Sequence, residues 1–297
     1  MLELRQIQPE DYEVVNALFS EAFDVSPPHH VDYIKNLCVT DPEGCLIAML
    51  QGEAVGYACT HRSGSIGYIG TIAVAKAQRG KGYGKLLTEV VRDSLAERCD
   101  VVGLAVEPDL GRNLQLYSAC GFVPALPACF VWRQWEPESL TGASTALCSA
   151  AQLGPETEAV IQAVRAWSDE VHPGLDLTRD LMHFASTYPE RLWFDFTDGG
   201  PRGFLAHEPL FRGDVWGCVR PGPGDLECLD RLIDAFEGAA AKSHEWVHFH
   251  SNFERILPRL QKRGYRITAH KTCMVLAGRR AAWPAASDSI LIRPWWT

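Results

Sequence analysis

The chain has 297 residues and a net charge of −9. That is long enough for two ordinary domains and too acidic for a general DNA or RNA binder. Hydrophobic residues make up 46% and charged residues 22%, a globular composition. No apolar run reaches the roughly 18 residues that a membrane helix needs.

Leu2 to Gln8 alternates apolar and polar side chains, as a strand does. Pro9-Glu10-Asp11 then opens a helix whose apolar face is Val14, Val15, Leu18, Phe19 and Ala22. Ser26-Pro27-Pro28 stops it, and His29 to Val39 reads as a second short helix. Leu46–Leu50 and Ala54–His61 flank the turn Gln51-Gly52-Glu53, forming a hairpin. Tyr68–Val74 is the next strand, Lys85–Arg98 a helix, Val101–Val106 a strand and Gly111–Ala119 a helix. Phe130–Trp135 completes the first half as a strand. Helices mixed with hairpins give an α/β fold with mixed, mostly antiparallel sheets flanked by helices.

Polar, unpatterned residues 138–145 read as a linker between residues 1–137 and residues 146–297. The second part repeats the plan of the first: a hairpin at Trp193–Thr197 and Arg202–His207, a strand at Val215–Val219, a helix at Leu226–Ala240, a strand at Trp246–His250 and a helix at Phe253–Arg263. Gly56 stands 18 residues before Val74, and Gly203 stands 16 before Val219. Matched spacings of this kind mark an internal repeat.

The strongest chemical signal is Arg79-Gly80-Lys81-Gly82-Tyr83-Gly84, between a strand and the helix that begins at Lys85. Such a turn offers backbone N–H groups and a helix N-terminus to a phosphate. Glycines there let the backbone approach closely. Lys85-Leu86 after Gly84 rules out a nucleoside-triphosphate loop, and the glycine spacing rules out a dinucleotide fingerprint. Downstream stands Asn113-Leu-Gln-Leu-Tyr117-Ser-Ala-Cys-Gly121-Phe122.

Together these two segments resemble the GNAT superfamily of N-acetyltransferases, over roughly residues 2–135. The resemblance implies a tandem GNAT (acyl-CoA N-acyltransferase) fold with acetyl-CoA as cosubstrate. It implies that Arg79, Gly80, Lys81, Gly82, Tyr83, Gly84 and Lys85 cradle the pyrophosphate. The main chain of Ile72, Ala73 and Val74 would pair with the pantetheine arm as an added strand, and Asn113 would hold that arm. Tyr117 would be the general acid for the departing thiolate, and a strand N–H would stabilise the oxyanion. The acceptor implied is a small-molecule amine, bound near Phe23, His29, His30, Tyr33 and Tyr68.

The sequence departs from the family at Tyr68, where many members carry a glutamate base. Glu107 is the substitute, His61 the next, and ordered water a third route. In the second half, Arg220-Pro-Gly-Pro-Gly-Asp225-Leu-Glu227 replaces the glycine turn with prolines and acids. Leu260 and Ile256 stand where Tyr117 and Asn113 stand in the first half. Residues 146–297 are therefore expected to be a degenerate copy, structural or substrate-selecting, that binds no coenzyme A. A non-catalytic acyl-CoA sensor is the rival reading.

The N-terminus lacks the basic-then-apolar pattern of a secretion signal. Ten cysteines include no Cys-x-x-Cys pair and no clustered zinc ligands in sequence. Free buried thiols, no metal and a cytoplasmic location are expected. No nucleic-acid or membrane partner is expected, and the chain is taken as a monomer or homodimer.

Overall fold

The computed structural model describes residues 2–23, 31–107, 111–134, 147–208, 214–243, 246–251, 255–279 and 290–292. In chain order the elements are β1 (Leu2–Gln6), α1 (Tyr12–Phe23), α2 (Val31–Thr40), β2 (Cys45–Leu50), β3 (Glu53–Ser63), β4 (Ile66–Val74), α3 (Tyr83–Arg98), β5 (Val101–Val106), α4 (Gly111–Ala119) and β6 (Phe122–Gln134). There follow β7 (Leu147–Ser149), α5 (Ala150–Leu153), α6 (Thr157–Val171), α7 (Thr178–Thr187), β8 (Leu192–Thr197), β9 (Gly200–His207), β10 (Asp214–Val219), α8 (Asp225–Ser243), β11 (Trp246–Ser251), α9 (Leu257–Lys262), β12 (Arg266–Leu276) and β13 (Ile290–Ile292). No helix among the described residues is long and apolar enough to cross a membrane. The proposed linker at residues 138–145 lies outside the described residues.

Contacts divide the chain into two compact units. The first is Met1–Leu126 joined by a segment that begins at Thr272. Its strand order is β1-β2-β3-β4-β5, closed by the end of β12. β1 to β4 pair antiparallel, whereas β4 and β5 run parallel. Cys273 and Met274 of β12 pair antiparallel with Ala105 and Leu104. The same C-terminal segment carries Arg279, whose guanidinium bonds the carbonyls of Ala96 and Cys99 at the end of α3. A cation there offsets the negative end of the helix dipole.

The core forms where the apolar stripes of α1 and α2 meet the inner faces of β2 and β3: Val15, Leu18, Phe19, Ile34, Ile47 and Tyr57 are all buried. On the other face, Leu87, Val91 and Leu95 of α3 are buried at i, i+4 and i+8. Gly56 is required there. A Cβ on it would stand 2.7 Å from the Ala73 carbonyl and 3.2 Å from Leu87.

The second unit runs from Pro127 to Lys271 and includes β13. Its order is β6-β11-β10-β9-β8-β7, with β13 also on β10. Gly203 pairs with Val219, as Gly56 pairs with Val74. A Cβ on Gly203 would lie 2.9 Å from Cys228 of α8, so the same close approach of sheet to helix recurs. β10 and β11 pair in parallel, as β4 and β5 do. Each unit thus takes a strand from beyond its main stretch of chain: Thr272–Val275 pairs with β5 in the first, and Ile290–Ile292 pairs with β10 in the second.

Acid–arginine pairs hold the helices of this unit. Arg231 clamps the fully buried Asp195 with two bonds of 2.8 and 2.6 Å. Arg263 of the α9 end reaches Asp230, Asp234 and Glu237 of α8.

Two boundaries differ from the pattern read in sequence. The strand expected at Phe130–Trp135 starts at Phe122. Pro124 and Pro127 hide that start, because proline demotes a strand in any propensity reading. β13 has only three residues, too few for a detectable period, yet all three are buried. Replacing Ile292 with alanine should lower the unfolding free energy by about 2–5 kcal/mol. Urea denaturation followed by tryptophan fluorescence would measure it.

Candidate active site

β4 and β5 stay paired only through Ile66–Val101, Gly67–Val102 and Tyr68–Gly103. Beyond Tyr68 the two strands part, and β4 continues to Val74 with β3 alone beside it. A shift in the β3–β4 register between Ala58 and Thr60 marks the same place. The residues of an antiparallel strand alternate between facing one neighbour and the other. Ala75 N–H donates to the Val55 carbonyl at 2.9 Å. Ala73 therefore also turns its peptide groups to β3, while Ile72 and Val74 present theirs to the open side. Of the three residues expected to offer main-chain partners, Ile72 and Val74 thus face the open side, and the peptide groups of Ala73 face β3.

The chain leaves β4 through a short turn and enters α3 at the glycines. Gly80 and Gly82 have φ of 80° and 87°. This left-handed region suits glycine and strains other residues. Gly82 is the N-cap of α3, with no side chain capping it and no acid in the first turn. The first helical bond runs from Leu86 N–H to the Gly82 carbonyl, 3.0 Å. The N–H groups of Tyr83, Gly84 and Lys85 precede it and point out of the helix end, as in an anion site.

Both features open on one cleft of about 500 Å³. Its walls include Ile72, Ala73, Val74, Arg79, Gly80, Gly82, Tyr83, Gly84 and Lys85, all expected from the sequence. Asn113 and Tyr117 line it from α4, one turn apart on the same face. Arg79 Nε donates to the Val74 carbonyl at 3.1 Å, which fixes the guanidinium at the turn. Lys81 does not line the cleft, and its ammonium bonds Gln78 Oε1 at 2.7 Å. Arg112 and Lys85 add positive charge to the wall. Ala22, Gln78, Arg112 and Leu116 also line it and were not singled out in the sequence, since none sits in a recurring motif position.

Burial pushes the pKa of the Tyr117 phenol up to about 12. Its ring meets Phe122 edge-on, with centroids 6.4 Å apart. It is a protonated hydrogen-bond donor throughout the physiological range.

The expected acceptor and base residues are dispersed. Phe23 lines the cleft, half exposed, with its ring 4.6 Å from that of Phe19. Tyr33 and Tyr68 do not line it, and Tyr68 is buried. Glu107, at the end of β5, is half-buried and outside the lining. His61 is buried beside Thr40, also outside the lining. His29 and His30 lie outside the described residues.

In the second unit the corresponding edge is closed. β13 pairs antiparallel with β10 at Gly217–Ile292, Cys218–Leu291 and Val219–Ile290. Those are the residues that match Ile72–Val74. Asp225 and Glu227 occupy the first turn of α8, and Arg255 bonds Asp225 at 2.7 Å.

Comparison with known proteins agrees with this geometry. The profile described as the Acetyltransferase (GNAT) family matches residues 3–122. N-alpha-acetyltransferase 30 of Saccharomyces cerevisiae is 33% identical over 84 residues, which is 28% of this chain and 43% of that protein. N-alpha-acetyltransferase MAK3 of Arabidopsis thaliana is 29% identical over 107 residues, 34% of this chain and 56% of that protein. The chain thus spans about half the length of the curated relatives it matches. A tandem GNAT protein from the clavulanic acid biosynthesis pathway shares the fold, with a TM-score of 0.61 at 13% identity over 93% of this chain and 98% of that one. A glycine turn at an uncapped helix end and a strand edge left open beside it meet in one unit, and residues 3–122 of that unit match the profile of the GNAT acetyltransferase family.

Proposed function

We propose that the first unit transfers the acetyl group of acetyl-CoA directly to an amine. One observation carries the reading: the open edge of β4 and the bare N-terminus of α3 share a single cleft with Tyr117. The peptide groups of Ile72 and the N–H of Val74 would pair with the pantetheine amides. The α3 N–H groups, with Arg79, Lys85 and Arg112, would take the phosphates. The residues present fit the cosubstrate: the open peptide groups of β4 match its amides, and the cationic helix end matches its phosphates.

Attack of the amine on the thioester forms the new C–N bond and places charge on the carbonyl oxygen, which a β4 N–H stabilises. The C–S bond then breaks toward Tyr117. A free thiol has a pKa near 8.5, well below that of the buried phenol. Burial raises a thiol as it raises a phenol, so the same pocket narrows that gap for the leaving sulfur. The phenol first bonds the developing thiolate and gives up its proton as the charge builds, and the proton that the attacking nitrogen must lose returns to the phenolate through water. The reaction calls for no metal.

The acceptor is proposed to be an α-amine. The family's strand glutamate is replaced by buried Tyr68, and neither Glu107 nor His61 lines the cleft. An amine that sheds its own proton suits such a site. An α-amino group titrates near 8 and a lysine near 10.4. The two curated relatives are themselves named N-alpha-acetyltransferases, which lends the small-molecule amine expected from the sequence no particular weight over a peptide end. The second unit is proposed to bind no cofactor, since β13 already completes its strand edge and acids fill its helix end.

Five outcomes follow. Calorimetry with acetyl-CoA should show one site per chain, lost in Gly84→Glu; a second site would overturn the reading of the second unit. Gly84→Ala should bind normally and gain up to about 1 kcal/mol of stability, because a Cβ there meets nothing closer than 3.9 Å. Gly82→Ala, in the left-handed region, should lose about 1–2 kcal/mol and bind weakly. Tyr117→Phe should reduce kcat by about 10²–10⁴ with cofactor binding intact; unchanged turnover would sink Tyr117 as the acid, and a parent chain that binds acetyl-CoA without turning over any amine would leave the non-catalytic sensor. With peptide and amino-acid acceptors assayed side by side, kcat/KM should rise with pH about an apparent pKa near 8 and show no falling limb from Tyr117 below about pH 10. A rise centred near 10 instead would indicate a lysine-like acceptor.

A further inference from the structure

Cys38, Cys45 and Cys59 are separated by 7 and 14 residues, which matches no metal-binding pattern, and the sequence reading takes them as inert thiols. The fold brings them together. Cys38 comes from α2, Cys45 opens β2, and Cys59 on β3 is the register partner of Cys45. Their three Sγ atoms all lie within 4.8 Å of one another, and all three residues are buried. Among the described residues this is the one group of three potential ligands so arranged.

Apolar packing accounts for a single buried cysteine without effort. It gives no reason for three sulfurs to converge, since thiols are weak donors and weak acceptors to each other. The donor set is also purely sulfur. The nearby carboxylates are already engaged: Asp41 accepts from Thr60 at 2.6 Å, and Asp11 pairs with Arg5 at 2.5 Å. Ile34, Ile47, Phe19 and Tyr57 belong to the same buried cluster, so the surroundings are dry. Among the described residues the cluster holds no carboxylate that a hard cation such as magnesium or calcium would need. Zinc ordinarily completes four ligands, and among the described residues the cluster holds three. Three thiolates in a dry pocket suit a soft monovalent d10 ion. Metal–sulfur bonds of about 2.3 Å place trigonal sulfurs about 4 Å apart. The observed spread needs a contraction of less than about 1 Å.

We propose that Cys38, Cys45 and Cys59 form a three-sulfur site for one thiophilic cation, with Cu(I) as the matching ion. Each metal–sulfur bond replaces an S–H bond, the proton passes to solvent, and no electron is transferred. The site replaces the expectation of a chain without metal and takes no part in acetyl transfer. Its effect is on α2, which it would tie to the sheet. That helix also carries Tyr33 and Leu37, both 3.9 Å from where a Cβ on Gly70 would stand. Ion binding therefore braces β4 two residues before Ile72.

The test uses the reduced full-length chain without oxygen, with Cu(I) delivered from its bathocuproine disulfonate complex. One Cu(I) per chain should transfer, and X-ray absorption should find three sulfurs at about 2.3 Å. Amide hydrogen exchange in α2 should slow on binding. Cys38→Ser and Cys59→Ser should each fail to withdraw copper from the chelator, whereas Cys120→Ser, whose thiol is buried elsewhere in the same unit, should match the parent. The absorption measurement on the parent protein stands even if a variant does not fold. Failure to take up one equivalent, fewer than three sulfurs in the shell, or unchanged binding in a folded Cys38→Ser variant would each overturn the site. Preference for Zn(II) over Cu(I) would overturn the choice of ion.

Discussion

The parting of β4 from β5 after Tyr68 is the constraint on which the rest depends. A strand edge buried in a fold must find a partner for its peptide groups, or it becomes a site for another chain. The two units solve the same problem differently. In the second, β13 lies along Gly217–Val219 and supplies the missing ladder from within the chain. In the first, the edge at Ile72 and Val74 opens on a cleft. A ligand with amides of its own can complete that edge, and a strand already bonded on both sides cannot offer one. The two units thus differ in what satisfies the corresponding strand.

The helix that follows each edge carries the same contrast in charge. α3 begins at Gly82 with no acid in its first turn and with Arg79, Lys85 and Arg112 around the cleft. In a chain of net charge −9, those cations focus an attraction for anions on one mouth. α8 begins with Asp225 and Glu227, which cap the helix dipole from within. Arg255 then neutralises Asp225. A helix whose positive end is already answered by its own side chains has little left to offer a phosphate.

Packing around these edges comes from ordinary causes. Gly56 and Gly203 hold register with Val74 and Val219, where each lets a helix side chain touch the sheet backbone. The recurrence of that contact explains why the spacings of the two halves agree within two residues. The asymmetry lies in the polar groups. The second unit buries Asp195 under Arg231 and strings Arg259 and Arg263 along the acids of α8. In the first, α3 buries an apolar stripe of Leu87, Val91 and Leu95, and its Arg98 pairs with Glu43.

The sequence by itself determined what short-range chemistry can encode. The hairpins, the amphipathic helices, the glycine turn and the Asn113–Tyr117 pair are local patterns, legible because period and turn residues depend only on neighbours in the chain. Tertiary structure alone decided which distant groups meet. Tyr68 and Glu107 stand near the motif in sequence yet do not line the cleft, while Arg112 and Leu116 do. Alternation along β4 turned Ala73 away from the groove and Ile72 toward it, a matter of register with β3. Cys38, Cys45 and Cys59 converge because one helix packs over one hairpin. Ile290–Ile292, three residues with no period to read, completes β10. Pairing across long separations is set by which surfaces bury together, and no local window of sequence contains that information.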